Sequence, residues 1–452
     1  MRATSVNVPP GPRGNFVLGN VLQVKKDPLD FLAWCGQQYG DIIRLRLVNR
    51  SGYLINNPHY IEQVLVTNAE NFIKPPGREP SGTSELLFGE QFMSSDGDFW
   101  MRHRRTVQPA LHHRRINQYA DVMVDYTQRM LSTWTPGETR DVYQDLMRLT
   151  LEVIARTLFS ADAGGDVQKI AAGLDVIMRE ITSRMVNPFQ VPMRIPTRRN
   201  VRFKDAVTQL NDFMNRVVAE HADGHAPDDM LSMLLEGRAE DSKSLTEMQW
   251  QYEVMTLFIA GYETTALALT WSLYLLSQYP TAAARLQEEV RAVLGDSPPT
   301  AADYSRLEYT GQVIKETLRL YPPVWFLGAR IALQTCHLGP YEVPAGAMVL
   351  ISPWVTHRDP RNFDRPLEFD PGRWSGEASK QQPKYAYFPF GGGPRHCIGY
   401  SYAVMEAVMM LATIVQTHRL THVAGHPVEP EPLITLRPRY GMQMVVSPAD
   451  RG

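Results

Sequence analysis

One cysteine stands in the stretch FPFGGGPRHCIGY, residues 388–400, which is rich in glycine and precedes an apolar segment with helical spacing. Glycines let such a loop wind tightly and aim backbone N–H groups at one atom. A helix that begins just after Cys397 would turn its positive end toward the sulfur. Both effects lower the pKa of a thiol, so the stretch predicts a thiolate. A small buried thiol in a glycine-rich turn is the plain alternative, and a phosphate loop is excluded because no G-K-[ST] is present.

A second chemical signal is an acid inside an apolar segment. Between Val254 and Leu276 the only charged residue is Glu263, in the sequence AGYETT. A buried carboxylate is costly without a task or a partner, so Glu263 is a candidate functional residue. A membrane span is disfavoured, because an acid beside two threonines is expensive there and the flanks lack Lys and Arg. We expect a long core helix that begins at a capping box at Ser244 and ends at Pro280.

The elements that must position these residues are mainly helical. Apolar residues recur at every third or fourth position in 116–134 and 141–159, which predicts two amphipathic helices. Alternation and turn residues predict strands in three places only: 41–57, 337–352 and 432–447. No linker or internal repeat interrupts these segments. We therefore expect a single domain over residues 1–452, mainly α with small segregated β-sheets.

Composition excludes several classes of protein. The 452 residues carry 46 Lys and Arg against 48 Asp and Glu, so the net charge of −2 offers no general field for nucleic acid or an acidic membrane. Three cysteines are too few and too scattered for a disulfide framework or a four-thiolate zinc site, which favours a reducing compartment and a cytoplasmic location. The first residues contain no apolar run of signal or anchor length, and whether an anchor preceded them stays open.

Five residues of the cysteine stretch form the pattern F-x-x-G-x-R-x-C-x-G: Phe390, Gly393, Arg395, Cys397 and Gly399. In this the chain resembles the cytochrome P-450 family of haem-thiolate monooxygenases. The resemblance implies haem b (protoporphyrin IX iron) with Cys397 as its iron ligand, because a thiolate donates electron density that favours O–O cleavage. It also implies that Phe390 covers the sulfur, that Gly399 lets a helix approach the porphyrin and that Arg395 binds a propionate.

Two further stretches resemble the family's motifs for a structural brace. GQVIKETLRLYPP carries Glu316 and Arg319 in an E-x-x-R pattern, and FDPGRW resembles the P-E-R-F box with Arg373 at its arginine position. The resemblance implies that these three residues support the cysteine loop. E-x-x-R alone is not specific, but its place before YPP and upstream of the cysteine agrees with the family's order. Gly372 and Trp374 depart from the usual box.

The stretch DGDFWMRHRRTVQPALHH resembles the family's W-x-x-x-R helix, in which Trp100 and Arg104 would reach the haem propionates. Arg330 matches a further propionate-binding position, and an amphipathic surface helix is the alternative for the W-x-x-x-R stretch. A basic run implies a docking face for an acidic ferredoxin or flavodoxin-type electron donor, although such runs are often only solvated. Its members are Arg102, His103, Arg105, His112, His113, Arg114 and Arg115.

AGYETT resembles the family's oxygen-activation motif, in which Gly261 lets the helix open and Glu263 and Thr264 relay protons. The resemblance implies insertion of one atom of O2 into a C–H bond, with electrons from NAD(P)H through separate redox proteins, by an enzyme expected to be a monomer. The acid and threonine argue against the alternatives, a peroxide-dependent peroxygenase and a non-catalytic haem-binding protein.

The substrate pocket is expected, by family position, to take residues from 78–92 and 182–200. It also takes nine further residues, most of them apolar: Phe258, Ala260, Val324, Trp325, Phe326, Leu327, Ile434, Thr435 and Leu436. This set predicts a hydrophobic substrate such as a fatty acid, a steroid or a terpenoid. Arg50 and Tyr53, in the first hairpin, could hold a carboxylate at the mouth, which slightly favours a fatty acid.

Overall fold

The computed structural model describes most of the chain, in nine stretches. These are residues 7–48, 50–75, 95–111, 113–160, 167–186, 191–222, 229–232, 247–376 and 381–449. The structure is mainly helical with small separate sheets, which confirms the predicted fold class.

The helices of the described residues are numbered here in chain order. They are α1 (Val21–Lys26), α2 (Pro28–Tyr39), α3 (Pro58–Glu62), α4 (Gly97–Val107), α5 (His113–Ser132), α6 (Val142–Phe159), α7 (Val167–Val186), α8 (Arg198–Ala222), α9 (Glu247–Gln278), α10 (Pro280–Leu294), α11 (Glu308–Leu320), α12 (Pro353–Thr356) and α13 (Tyr400–Thr417). The helices predicted over 116–134 and 141–159 are α5 and α6. The cap predicted at Ser244 lies outside the described residues.

The strands are short. They are β1 (Ile42–Leu47), β2 (Arg50–Ile55), β3 (Phe72–Ile73), β4 (Thr139–Asp141), β5 (Ala329–Ala332), β6 (Cys336–Leu338), β7 (Tyr341–Val343), β8 (Met348–Ile351), β9 (His418–His422), β10 (Pro430–Pro432), β11 (Leu436–Pro438) and β12 (Gln443–Pro448). They form a five-stranded sheet in the order β1-β2-β8-β5-β3, a three-stranded sheet β4-β12-β9 and the pairs β6-β7 and β10-β11.

Strand prediction was correct in part. The hairpin over 41–57 is β1 and β2, paired antiparallel from Ile42 opposite Ile55 to Leu47 opposite Arg50. The second prediction, over 337–352, was wrong in extent: β6 and β7 form a hairpin, but β8 leaves it to pair parallel with β2. Three of the four β8 residues are buried, so β8 belongs inside the larger sheet. Strands β3, β4, β5 and β9 lie outside the three predicted stretches, and so does most of β10.

Helix α9 runs through the main core, as its apolar sequence predicted. It packs along α6, while α13 packs along α5, and all four helices contribute buried side chains to one continuous cluster. Trp271 of α9 is fully buried and donates from Nε1 to the Leu436 carbonyl at 3.0 Å. Within the described residues no helix has the length and apolarity to cross a membrane.

Candidate haem site

The cysteine loop is fixed by its backbone. Gly393 has a φ of 62°, and a Cβ there would lie 1.8 Å from the Leu65 carbonyl oxygen, so this position requires glycine. The Cys397 N–H donates to the Phe390 carbonyl at 3.0 Å, which closes the loop. The Phe390 ring packs edge-on against Tyr400 at a centroid distance of 4.8 Å. Phe390 therefore lies at the base of the loop, next to the cysteine backbone.

Residue Cys397 is exposed to solvent, although many protein atoms surround its sulfur. Burial raises its pKa, while the Gly399 N–H and the positive charge of Arg104 lower it. Gly399 comes immediately before α13, so the sulfur lies near the N-terminal end of that helix. The two lowering effects are those that the sequence predicted for a thiolate, but in the protein alone burial is the larger effect.

Gly399 supports the presence of a group beyond the protein. Its φ is −84°, and a Cβ at this position would meet only the Cys397 sulfur, at 3.9 Å. Neither the backbone conformation nor packing against the described residues requires glycine there. The space beside the sulfur thus fits a flat group such as a porphyrin.

Three of the predicted cofactor residues lie together. The Arg395 guanidinium lies 4.1 Å from the Trp100 ring centroid, and that of Arg104 lies 5.8 Å from it. Arg104 donates to the His396 carbonyl at 2.9 Å, and Arg395 pairs with the Asp96 carboxylate and donates to a backbone carbonyl at 2.6 Å. Trp100 is thus a platform for both arginines, and Arg104 is anchored to the cysteine loop.

Arg330 and an unpredicted residue, Lys74, complete a cluster of cations. Burial lowers the pKa of Arg330, and Asp96 opposes this effect. Burial, together with Arg330 and Arg395, lowers the pKa of Lys74 to about 7, although Asp96 partly offsets the shift. Lys74 was not predicted because it belongs to no recognisable motif. The two apolar residues of β3 directly before it indicate only that the chain enters the core there.

The charges of this cluster fit a dianionic cofactor. Lys74, Arg330 and Arg395 interact with one another and with the Asp96 carboxylate, while Arg104 interacts with Arg395 and lies near Cys397. Cations concentrated in a partly buried site repel one another unless anions join them. Two propionates and a thiolate would add negative charge beside these cations, so the donor set fits a haem.

The predicted brace residues also lie together. Arg319 donates from Nε and Nη2 to both Glu316 oxygens, at 2.9 and 2.8 Å, and both side chains are fully buried. Arg373 donates to Glu316 at 3.1 Å, and Trp374 donates from Nε1 at 2.9 Å. Trp374, where the chain departs from the usual box, therefore adds a hydrogen bond to the same carboxylate. Arg319 also reaches the His357, Pro366 and Glu368 carbonyls.

One face of α9 is more exposed than most of the residues around it on the helix. Ala260 is exposed and Leu257, Gly261 and Thr264 are partly exposed, at the i, i+3, i+4 and i+7 spacing of a single helix face. The Thr264 hydroxyl donates to the Ala260 carbonyl at 2.9 Å. Gly261 has a second role that the sequence did not indicate, because a Cβ there would lie 2.7 Å from the Ile154 side chain.

The Glu263 side chain lies away from this exposed face, against the segment that carries Thr435 and Arg437. Its carboxylate is fully buried, accepts a hydrogen bond from the Thr435 hydroxyl at 2.6 Å and forms an ion pair with Arg437. Arg437 in turn donates from Nη1 to Asp175 of α7 at 2.6 Å. The sequence predicted Glu263 as a partner of Thr264, but gave no sign of Arg437, whose pairing with Glu263 joins residues far apart in the chain.

The predicted pocket residues divide into two groups. Val324, Trp325, Phe326, Leu327 and Ile434 are partly exposed, in addition to Ala260. Phe258 and Leu436 are fully buried, so the structure corrects their assignment to the pocket wall.

The reasons for these corrections lie in the packing. The Phe258 ring lies on the side of α9 that packs between Phe159 and Phe213, at centroid distances of 5.7 and 5.9 Å. Leu436 packs in the core beside the five-stranded sheet, and its N–H donates to the Pro323 carbonyl at 2.9 Å. Thr435 is also buried, held by Glu263.

Two other expectations also need correction. Tyr53 is buried in the core of the five-stranded sheet, so it does not form a carboxylate site with Arg50 at a pocket mouth. His103 is fully buried and pairs with Glu253 of α9, so it is not part of a basic face. Arg102 and Arg105 are exposed. The predicted segment 78–92, part of 182–200 and the side chains at 112–115 lie outside the described residues.

The comparisons with known proteins agree with this geometry. The family model described as Cytochrome P450 matches residues 9–444. Cyclooctatin synthase of Streptomyces melanosporofaciens is 37% identical over 94% of this chain and 92% of its own length, and pentalenene oxygenase of Streptomyces avermitilis is 30% identical over 93% of its length. The solved structure of a retinoic acid-bound cyanobacterial CYP120A1 has a TM-score of 0.85, with 24% identity over 98% of this chain.

The chain therefore belongs to the cytochrome P450 family. It is a haem-thiolate monooxygenase that takes electrons from redox partners and acts on a hydrophobic substrate. When bound, the haem supplies the oxygen chemistry of the family.

Proposed function

We propose that this enzyme hydroxylates a terpenoid. The supporting observation is that the partly exposed pocket candidates are apolar, while the one acid of the α9 motif is buried and neutralised by Arg437. Such a wall suits a compact hydrocarbon, which needs shape and apolar contact rather than an ion pair. Three relatives carry terpenoid names: cyclooctatin synthase, cyclooctat-9-en-7-ol 5-monooxygenase and pentalenene oxygenase. The buried Tyr53 removes the argument that favoured a fatty acid.

The proposed cofactor is haem b, with Cys397 as iron ligand. Trp100, Arg104, Arg330, Arg395 and the newly identified Lys74 would hold its propionates, because the cations among them lie close together and a guanidinium binds a carboxylate well. Phe390 and Gly399 would shape the sulfur side. Glu316, Arg319 and Arg373 would act at a distance, as a buried brace for the segments around α11.

Thr264 is the residue we assign to proton delivery. It lies on the exposed face of α9, and its hydroxyl, which donates to Ala260, keeps lone pairs free to accept from a water. Glu263 would serve as a proton source only when its contact with Arg437 opens.

We propose an acidic ferredoxin or flavodoxin-type donor, because Arg102 and Arg105 are exposed on α4, the helix that also carries Trp100 and Arg104. A single domain over 1–452, a monomeric state and a cytoplasmic location belong to the same proposal. The last rests on the low cysteine count and on the bacterial relatives.

A substrate-shift titration tests the proposal. The haem-loaded protein is titrated with a cyclic terpene hydrocarbon, a steroid and a long-chain fatty acid, and the Soret band reports displacement of the water on iron. We expect the terpene to give the tightest shift and, with a surrogate ferredoxin and reductase, an NADPH-dependent alcohol. Ala260→Leu should weaken the terpene shift without loss of haem, because the added side chain enters the exposed face of α9. A tighter shift with the fatty acid would overturn the terpenoid proposal.

A further inference from the structure

A cavity of ≈ 370 Å³ lies where α9 and α11 end. Its polar wall consists of Arg358, Gln278 and three tyrosines, Tyr274, Tyr279 and Tyr321, and its remaining wall consists of leucines. Tyr274 lies about 15 Å further along α9 than Thr264, at about 1.5 Å rise per residue. The cavity is therefore separate from the oxygen-activation segment.

Arg358, which is partly exposed, differs in its partners from three buried arginines of this structure. Arg319, Arg437 and Arg184 each pair with a glutamate. Among the described residues, none accepts a hydrogen bond from the Arg358 guanidinium and no carboxylate lies within 4 Å of it, while its Nη1 atom is buried. Its contacts are with rings: Cζ lies 3.3 Å from the Trp354 centroid and 5.6 Å from that of Tyr321.

The charge of Arg358 is left uncompensated by this arrangement. Burial lowers its pKa to about 9, Tyr321 opposes the shift and the nearby Arg319 adds to it. Even so, the guanidinium remains a cation at neutral pH. A cation that is partly withdrawn from water and has donors without acceptors is stabilised by an anion.

The rest of the cavity wall indicates which kind of anion fits. Phenol and amide groups can donate hydrogen bonds without adding charge, so the wall offers one positive charge in total. Most of the accessible wall is polar, and the aromatic rings and leucines supply a smaller apolar part that would contact the body of the ligand. A guanidinium matches a carboxylate in a bidentate geometry, which would satisfy both its charge and its donors.

We propose that this cavity is a binding site for a small organic carboxylate with a flat or branched apolar body, held by Arg358. The volume exceeds that of a carboxylate group alone, which favours a whole small molecule over an acidic side chain of a partner protein.

Benzoate is the probe that tests the site. The haem-loaded enzyme is first saturated with an azole that ligates the iron, so that benzoate cannot enter the substrate pocket. Calorimetry and tryptophan fluorescence then follow benzoate binding, since Trp354 stacks on Arg358. We expect one saturable site, with a Kd raised about tenfold or more by Arg358→Gln, as for loss of a charge-assisted pair.

Two further variants keep the test decisive. Gln278→Glu places a negative charge at an exposed position on the rim and should weaken benzoate binding even if Arg358→Gln fails to fold. Arg285→Gln is the matched control, because it removes an arginine stacked on Tyr309 at 4.3 Å, outside the cavity lining, and should leave the Kd unchanged. Absence of saturable binding, or equal Kd values for wild type and Gln278→Glu, would overturn the site. Tighter binding of inorganic phosphate than of benzoate would overturn the choice of a carboxylate.

Discussion

Replacing Arg437 by methionine should destabilise the protein far more than replacing its partner Glu263 by glutamine. Both side chains of the pair are almost fully buried. Among the described residues, removal of Arg437 leaves the buried carboxylate with only the Thr435 hydroxyl as a hydrogen-bond donor, and breaking a buried pair in this way costs about 3–5 kcal/mol. Thr435 compensates in part, so we expect a loss near the lower end, ~3 kcal/mol.

The Glu263→Gln variant leaves a different situation. The amide oxygen of the substituted side chain can still accept from Arg437 and Thr435, and Arg437 keeps Asp175, so we expect a loss of about 1–2 kcal/mol. The double variant removes both charges. It should therefore be more stable than Arg437→Met alone, which an additive model would not allow.

Urea unfolding of the haem-loaded variants, followed by far-UV circular dichroism, measures these differences. Arg179→Met is the matched control: this residue belongs to the same network through Asp175, but its side chain is 49% exposed, so its loss should cost less than about 1 kcal/mol. If Arg437→Met lies within about 1 kcal/mol of wild type, or if the double variant is the least stable of all, the buried pair does not have the energetic role argued here.

Four further outcomes are expected. Cys397→His should abolish the red-shifted ferrous-CO band, because imidazole donates less electron density to iron, and an unchanged band would remove Cys397 as ligand. Thr264→Ala should keep haem and substrate affinity but yield less product and more hydrogen peroxide per NADPH; unchanged coupling would refute proton delivery by its hydroxyl. Arg102→Glu with Arg105→Glu should slow reduction by an acidic ferredoxin and flatten its salt dependence, while equal loss of peroxide-supported turnover would point to a damaged fold. Burial raises the pKa of Glu406 to about 8, above its unfolded value, so its ionisation destabilises the folded state increasingly as pH rises from about 5 to 8; Glu406→Gln should gain stability relative to wild type over that range, and a pH-independent difference would contradict this.

Local patterns were sufficient for the cysteine loop and the long helix. Gly393 and Cys397 are close in sequence, and the shape of their loop follows from backbone conformation and helix direction, which are local properties. The apolar run of α9 predicted a core helix because burial on all sides requires apolar residues all around. The E-x-x-R pattern is too short to be specific, so Glu316 and Arg319 could be assigned to the brace only because the order of motifs along the chain agrees with that of the family.

Pairings between distant segments could not be predicted in this way. Arg437 and Glu263 are 174 residues apart, and His103 and Glu253 are 150 apart, so no local pattern relates them. His103 was assigned to a basic face because its neighbours are basic. On an amphipathic helix, however, every third or fourth side chain faces the core, and His103 is one of these. Phe258 was misplaced for a related reason: which side of a fully buried helix faces a pocket depends on the helices packed against it.

The same geometry separates two residues that the motif presents as one unit. Glu263 and Thr264 are adjacent, but successive residues of an α-helix point about 100° apart. Glu263 projects toward β11, where Arg437 and Thr435 hold it, and Thr264 lies on the exposed face with Ala260. Arg437 also contacts Asp175 of α7, so a shift of that helix would change the strength of the ion pair between Arg437 and Glu263. In the observed arrangement the threonine is therefore the member of the pair on the exposed face of α9, and the acid is a structural link that connects α9 to β11 and, through Arg437, to α7.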